Sequence, residues 1–245
     1  MKRVLIIGDS CRDIYTYCTT KRLSPEKPVP VLEIDHIHSV GGMAMNVYSN
    51  MISMLPQREV DILTNDNWND VIKERIVDKK SNHMFCRIDK PQQTERVDVF
   101  KIDYENYEYI IVSDYDKGFL EWDDIEYICS HHDRVFLDSK KELGSWAFGA
   151  KYIKINNYEA ERSGPIVEEL GDKVIQTLGE EGVLWNNTIY PVPEKVETLD
   201  VSGAGDTFLA SLVFRFAQTG NIIKAIKYAN KQASKVVTKR GTSTP

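Results

Sequence analysis

The chain has 245 residues, a formal net charge of −6 and 42% hydrophobic residues, enough to bury a sizeable core in one domain with a small appendage. The acidic balance argues against a general nucleic-acid or membrane-surface role, since both need a positive field. The basic stretch over 224–240 spreads its lysines along a helical pattern and reads as a solvated face, with attraction of nucleotide phosphate as the other reading. Cys11, Cys18, Cys86 and Cys129 include no C-x-x-C pair; they are too sparse for a zinc cluster and read as reduced thiols in a cytoplasmic protein. The apolar run 4–7 is too short for a signal sequence, and no later run approaches the roughly 20 residues of a membrane span.

Val4-Leu5-Ile6-Ile7-Gly8 reads as a buried strand, and comparable runs recur at 60–63, 109–113, 135–138, 152–155 and 174–178. Helical patterns cover 43–55, 68–77, 122–130, 207–217 and 222–238, the last with Ile222, Ile226, Ala229, Ala233 and Val237 on one face. This alternation predicts an α/β fold, a doubly wound and mostly parallel sheet with helices on both faces. Two stretches break it. Residues 29–34, and the pair 84–88 with 96–102, look like strands with no helix between them, which predicts a small β lid drawn from about 29–34 and 84–102. With no internal repeat, low-complexity tract or evident linker, residues 1–245 are expected to form a single domain carrying that lid.

Gly8-Asp9-Ser10-Cys11-Arg12-Asp13 follows the first strand at its C-terminal end, where ligands bind in open α/β sheets. Asp13 is suited to gripping sugar hydroxyls, because a carboxylate accepts two hydrogen bonds; the other reading of Asp9 or Asp13 is a turn or cap. Gly41-Gly42 precede a helix carrying Asn46, a pair that lets a substrate approach the backbone and an amide that both donates and accepts, or else a simple turn and a core-facing amide. Asn156 and Glu159, just after the strand 152–155, fit a helix capping box and equally a pair that holds water on a magnesium ion. Thr177-Leu178-Gly179-Glu180-Glu181-Gly182 follows another strand, as a glycine turn beside a nucleotide or as a hairpin.

The sharpest signal is Asp200-Val201-Ser202-Gly203-Ala204-Gly205-Asp206-Thr207-Phe208, a glycine turn that runs straight into an apolar helix with an acid at the junction. Free N–H groups and the positive end of the helix dipole favour phosphate there. A carboxylate repels phosphate, and proton removal accounts for its presence. Asp206 accepts the proton of a substrate hydroxyl while the neighbouring N–H groups stabilise a transferring phosphoryl group. A tight turn with Asp206 as a cap is the structural alternative. The chain has neither G-x-x-x-x-G-K-[ST] nor the protein-kinase signature set, so the pattern points to another kind of kinase acting on an alcohol.

These residues, in this order, resemble the ribokinase-like family of carbohydrate kinases, the phosphofructokinase-B type, over nearly the whole chain. Residues 200–206 correspond to the family's D-[ST]-x-GAGD signature in the form Asp-Val-Ser-Gly-Ala-Gly-Asp, supported by the glycine pair with Asn46 and by Asn156 to Glu159. Within the family, residues 8–15, 22–31 with their Ser-Pro-Glu-Lys-Pro-Val-Pro piece, 113–118 and 241–244 are similar to D-glycero-D-manno-heptose-7-phosphate kinases of ADP-heptose synthesis. The resemblance implies an ATP-dependent kinase transferring the γ-phosphoryl group to a hydroxyl of a sugar or sugar phosphate, with heptose 7-phosphate leading. The alternatives are a kinase for another sugar or a nucleoside, and a non-catalytic sugar or nucleotide sensor that kept the fold.

By the same resemblance Asp206 is the base and Gly203, Ala204 and Gly205 form the anion hole. Asp13, Gly41, Gly42 and Asn46 are sugar contacts, and Lys140, in Asp138-Ser139-Lys140, meets phosphate. Asn156 and Glu159 belong to the ATP–magnesium site, Glu159 as a metal contact through water, with Thr177, Gly179 and Gly182 flanking the nucleotide. ATP, Mg2+ and a monovalent cation are the implied cofactors. The implied partners are a small-molecule sugar or sugar phosphate, a second copy paired through the β lid, and a separate nucleotidyltransferase, with no nucleic acid and no membrane. The stretch 65–103 is compressed and lacks the glycines that relatives often carry after Asp66, and Val40 and Ser139 stand where relatives have proline; these departures bear on the shape of the sugar.

Overall fold

The computed structural model describes residues 3–90 and 92–245. The chain opens with β1 (Arg3–Gly8), then sends out a long antiparallel pair, β2 (Ser10–Leu23) and β3 (Pro30–Met43). It returns through α1 (Ala44–Met54) to β4 (Val60–Leu63) and leaves again as β5 (Ile72–Asp78) and β6 (Met84–Lys90). The rest alternates: β7 (Tyr107–Asp114), α2 (Trp122–His131), β8 (Val135–Ser139), β9 (Tyr152–Asn156), α3 (Asn157–Ser163), α4 (Ile166–Leu170) and β10 (Val174–Thr177). A hairpin, β11 (Val183–Trp185) and β12 (Thr188–Tyr190), precedes α5 (Ala204–Thr219) and α6 (Ile222–Val236).

The larger sheet has eight strands in the order β12-β11-β10-β9-β8-β7-β1-β4, parallel except for the β11–β12 edge. Its inner strands read as unbroken apolar runs because both faces are covered. On β1, Leu5 and Ile7 join Ile110, Val112, Ile125 and Leu137 on the α2 side, whereas Val4 and Ile6 join Met51, Ile111, Phe136 and Leu212 on the side of α1, α5 and α6. Each such side chain contributes about 1.5–3 kcal/mol on burial. The predicted alternation of strand and helix is what these two apolar layers produce, and the fold is ribokinase-like α/β.

The smaller sheet, β3-β2-β5-β6, departs from expectation in three places. Residues 68–77, predicted as a helix, instead give turns and then β5, which pairs in parallel with β2 and antiparallel with β6. The charged run Lys73-Glu74-Arg75 suits a helix by propensity, yet the β-branched Ile72, Ile76 and Val77 and two waiting strand edges decide the outcome. Residues 96–102 are not a strand: Val99–Lys101 is a short 3-10 turn with Asp98 accepting from the Phe100 N–H, and Arg96 forks onto Asp123 and Asp124. Val99 packs in the core of the larger sheet, so this stretch gives nothing to the smaller one. Finally, residues 10–23, read only as a ligand-binding turn at their start, form a 14-residue strand.

Asp9 is the junction between the two sheets. Fully buried, it accepts from the Tyr115 N–H at 2.8 Å and the Phe119 N–H at 3.4 Å, so it holds the turn that follows β7. Burial, and then the charge of Asp114, push its pKa up to about 6 from 3.8. A raised native pKa means that the folded protein binds the proton that the unfolded chain has released, so Asp9 weighs against the fold increasingly as pH rises from about 4 to about 6. In thermal unfolding, the Tm of Asp9→Asn minus that of the wild type is therefore expected to become more positive through that window; a difference independent of pH contradicts the assignment.

Candidate active site at the start of α5

Gly203 caps α5 in the left-handed region, at φ 78°. A Cβ there would stand 2.6 Å from Asn46 Nδ2, so a side chain would strain the backbone and also push Asn46 away. Ala204, Gly205 and Asp206 form the first turn, where backbone N–H groups have no intrahelical partner. Asp206 is buried at 5% exposure. Its Oδ2 accepts from Asn46 Nδ2 at 2.8 Å and its Oδ1 from the Tyr115 hydroxyl at 2.6 Å. Burial raises its pKa, and these two bonds oppose the rise without cancelling it.

Asn46 is aimed by its own helix. Asn50, one turn on, donates to the Asn46 backbone oxygen at 2.8 Å and to Asn46 Oδ1 at 3.2 Å, while the Thr207 hydroxyl donates to Asn50 Oδ1 at 2.8 Å. These contacts stitch α1 to α5 around the carboxylate.

Beneath the turn lies a charged cluster on the C-terminal ends of β8 and β9. Asp138 accepts from Lys154 at 2.7 Å and from Lys140 at 3.3 Å, and Glu159 accepts from Lys140 at 2.5 Å. Burial pushes Asp138 up, but the two ammonium groups outweigh it and hold the carboxyl below its ordinary value. Lys140 moves up: burial works against it, and the charges of Asp138 and Glu159 prevail. Lys154 Nζ comes within 3.0 Å of where a Cβ on Gly205 would stand, so a buried cation sits beside the first turn of α5. Asn156 and Glu159 form a reciprocal capping box, side chain to backbone N–H at 2.9 and 2.8 Å.

A cavity of about 220 Å³ opens beside the same turn. Thr177, Gly179 and Gly182 line it together with Ala204 and Gly205, against an apolar wall that includes Phe208. The glycine turn is also a hairpin: β10 and β11 are antiparallel, and the Leu178 N–H donates to the Gly182 oxygen at 2.8 Å. The two sequence readings of this stretch are thus one structure.

The smaller sheet supplies the opposite side. Gly41 and Gly42 are not a turn before the helix; they lie within β3, opposite Arg12 and Cys11 of β2, and Met43 makes the entry to α1 at φ 62°. A Cβ on Gly42 would stand 2.5 Å from Asp13 Oδ2. Asp13 is buried and accepts from Arg75 Nη1 at 3.0 Å. Lys73, two residues earlier on the same face of β5, holds its ammonium 5.1 Å from the centre of the Tyr115 ring. The structure thus gathers Asp206, Asn46 and residues 203–205 at one point, joins Lys140, Asn156 and Glu159 through one ion-pair cluster, and leaves Asp13 held by an arginine of the smaller sheet. Sequence reasoning passed over Tyr115, Lys154 and Asn50. Lys154 left a signal, a lone charge in the apolar run Tyr152-Ile153-Lys154-Ile155, and Asn50 left another, an amide one turn from Asn46; Tyr115 left only its place in the stretch 113–118 that carried the resemblance.

Comparisons with known proteins bear on the family and the fold. Residues 124–245 match the pfkB family of carbohydrate kinases. The chain is 30% identical over 300 residues to the bifunctional protein HldE of Helicobacter acinonychis (strain Sheeba), which covers 99% of this chain and 64% of that protein; the chain thus spans less than two thirds of the curated relatives it matches. Among solved structures it is similar to the ribokinase of Thermotoga maritima, with a TM-score of 0.75, 16% identity and coverage of 99% and 95% of the two chains. Phosphofructokinase-2 of Escherichia coli gives a TM-score of 0.70, 14% identity and coverage of 96% and 93%. Over residues 124–245, the half of the chain that carries the glycine turn and its acid, the protein belongs to the pfkB family of carbohydrate kinases.

Proposed function

We propose that the protein transfers the γ-phosphoryl group of ATP to a hydroxyl of a sugar or sugar phosphate, with heptose 7-phosphate as the leading acceptor. The observation that carries this reading is a buried carboxylate, Asp206, in the first turn of a helix whose opening residues also line a cavity. Few arrangements other than phosphoryl transfer call for a base and an anion site at one point.

In this reading the nucleotide lies in the cavity bordered by Thr177, Gly179 and Gly182, and its phosphates meet the N–H groups at Gly203, Ala204 and Gly205. Lys140, with the buried Lys154 next to Gly205, adds positive charge on that side. Asn46 and Asp13, beside Gly41 and Gly42, face the acceptor. As the acceptor oxygen bonds to the γ-phosphorus, its proton passes to Asp206 and the bond to the departing ADP oxygen breaks.

Magnesium, when bound, would neutralise the nucleotide phosphates. Both oxygens of Glu159 already accept, from Lys140 and from the Asn156 N–H, which suits a contact through water. Among the described residues no group of three or more His, Cys, Asp or Glu side chains forms a metal cage. For a monovalent cation the support is a pair of buried hydroxyls, on Thr242 and Ser243, without hydrogen-bond partners among the described residues, with Thr242 packed against Gly203.

A phosphorylated acceptor is favoured by Lys73, which faces the site and pairs with no carboxylate among the described residues. Two copies would meet through the smaller sheet, where Ile34, Ile37 and Ile88 are exposed. No helix among the described residues is long and apolar enough to cross a membrane. The four cysteines are unpaired, the form that a reducing cytoplasm keeps, and this supports a cytoplasmic enzyme.

The test is ADP release with magnesium and ATP across heptose 7-phosphate, other sugar phosphates, free sugars and nucleosides. Acceptor-dependent turnover is expected, greatest with the heptose phosphate, and Asp206→Asn should reduce it by about 10²–10⁴ while ATP binding survives. Turnover on another acceptor moves the substrate; none above the Asp206→Asn blank in folded protein contradicts the kinase and favours a sensor. Gly203→Ala is expected to lose at least about tenfold in kcat/KM, because its methyl group displaces Asn46 from Asp206. Unchanged kinetics in that variant would show that the Asn46 contact is dispensable.

A further inference from the structure

Each oxygen of the Asp206 carboxylate already holds a donor, Asn46 on one and Tyr115 on the other. The two donors differ in kind. Asn46 is locked into α1 by Asn50. Tyr115 follows β7 directly, partly buried against Cys11, Met43 and Val71, its backbone N–H tied to Asp9. Its ring lies near two ammonium groups, Lys73 at 5.1 Å and Lys140 at 5.2 Å from the centroid, a cation–π arrangement that orients the ring without fixing it covalently or by packing on all sides. At its tip it presents a hydroxyl donor to Asp206, the same group that an alcohol acceptor must present.

We propose that Tyr115 is a positioning residue that occupies the acceptor's place on Asp206 and keeps this carboxylate from activating water until a substrate hydroxyl displaces the phenol. The proposal rests on the kinase reading above. The reaction it guards against is hydrolysis: a water oxygen bonds to the γ-phosphorus, the water proton passes to Asp206, and the bond to the β–γ bridging oxygen breaks with its electron pair left on ADP, giving ADP and inorganic phosphate. While the phenol donates to Oδ1, a water at that oxygen has to compete with a charge-assisted hydrogen bond. A bound sugar offers further contacts of its own, so it displaces the phenol where water does not. Lys73 belongs to β5, which makes release of the ring depend on the smaller sheet as well.

The test compares the wild type and Tyr115→Phe for ADP release from magnesium–ATP, without acceptor and with the best acceptor of the panel. Phenylalanine keeps the ring beside both lysines and removes only the donor. Hydrolysis without acceptor is expected to rise roughly tenfold, the value of one hydrogen bond to a charged group. The acceptor KM should fall, with kcat within about threefold of the wild type. The gain in hydrolysis should vanish when Asp206→Asn is added, and Lys73→Met, which frees one contact of the ring, should give a smaller gain in the same direction. Hydrolysis unchanged or lowered in a folded Tyr115→Phe that still phosphorylates the acceptor overturns this proposal alone, as does a gain that survives Asp206→Asn. If Tyr115→Phe does not fold, Lys73→Met decides on the same readout. A wild type with no acceptor-dependent turnover overturns the kinase reading and this proposal with it.

Discussion

The structure turns on one buried carboxylate. Asp206 sits where a helix dipole, two hydrogen-bond donors and a nearby lysine make a charge tolerable, and where burial makes it basic. To hold it there the chain brings α1 against α5, aims Asn46 with Asn50 and Thr207, and swings the turn after β7 across the site with Tyr115 at its tip. Gly203 follows from the same requirement, since a side chain at that position would dislodge Asn46.

Three buried aspartates show how environment separates roles on one fold. Asp138 lies between Lys140 and Lys154 and is held below the usual carboxylate range, which suits it to organising cations near phosphate. Asp9, beside Asp114 and anchored by the backbone N–H groups of Tyr115 and Phe119, is pushed up to about 6 and serves to fix the junction of the two sheets. Asp206 is raised by burial while two donors oppose the rise, an environment that fits the role of base proposed for it.

The larger sheet was legible in the sequence because its strands are buried on both faces and its helices carry one apolar stripe, so period and length agree for runs such as 4–8 and 222–238. The smaller sheet was legible only in part. Its strand Ile72–Asp78 carries Lys73, Glu74 and Arg75, residues that favour a helix when isolated, and only the edges of β2 and β6 make it a strand. The residues 10–23 alternate imperfectly, since both faces of β2 are covered for most of its length. At the site, the glycine turn with its acid stood out in the sequence because its residues are contiguous, a turn running straight into an apolar helix with the acid at the junction. Tyr115 was not, for its importance arises from a contact with a residue 91 positions away in the chain. Lys154 falls between: a charge inside an apolar strand announces a partner without naming it.

The central claim is that Asp206 is the base, and the pH dependence of acceptor kcat/KM at saturating magnesium–ATP tests it most directly. An acid holds its proton below its pKa, so activity should fall as pH drops through the pKa of Asp206, and burial places that limb above the ordinary 3.8. The account predicts such a limb in the wild type and its absence from the residual activity of Asp206→Asn. The same limb in both proteins would assign the proton to another group and contradict the account.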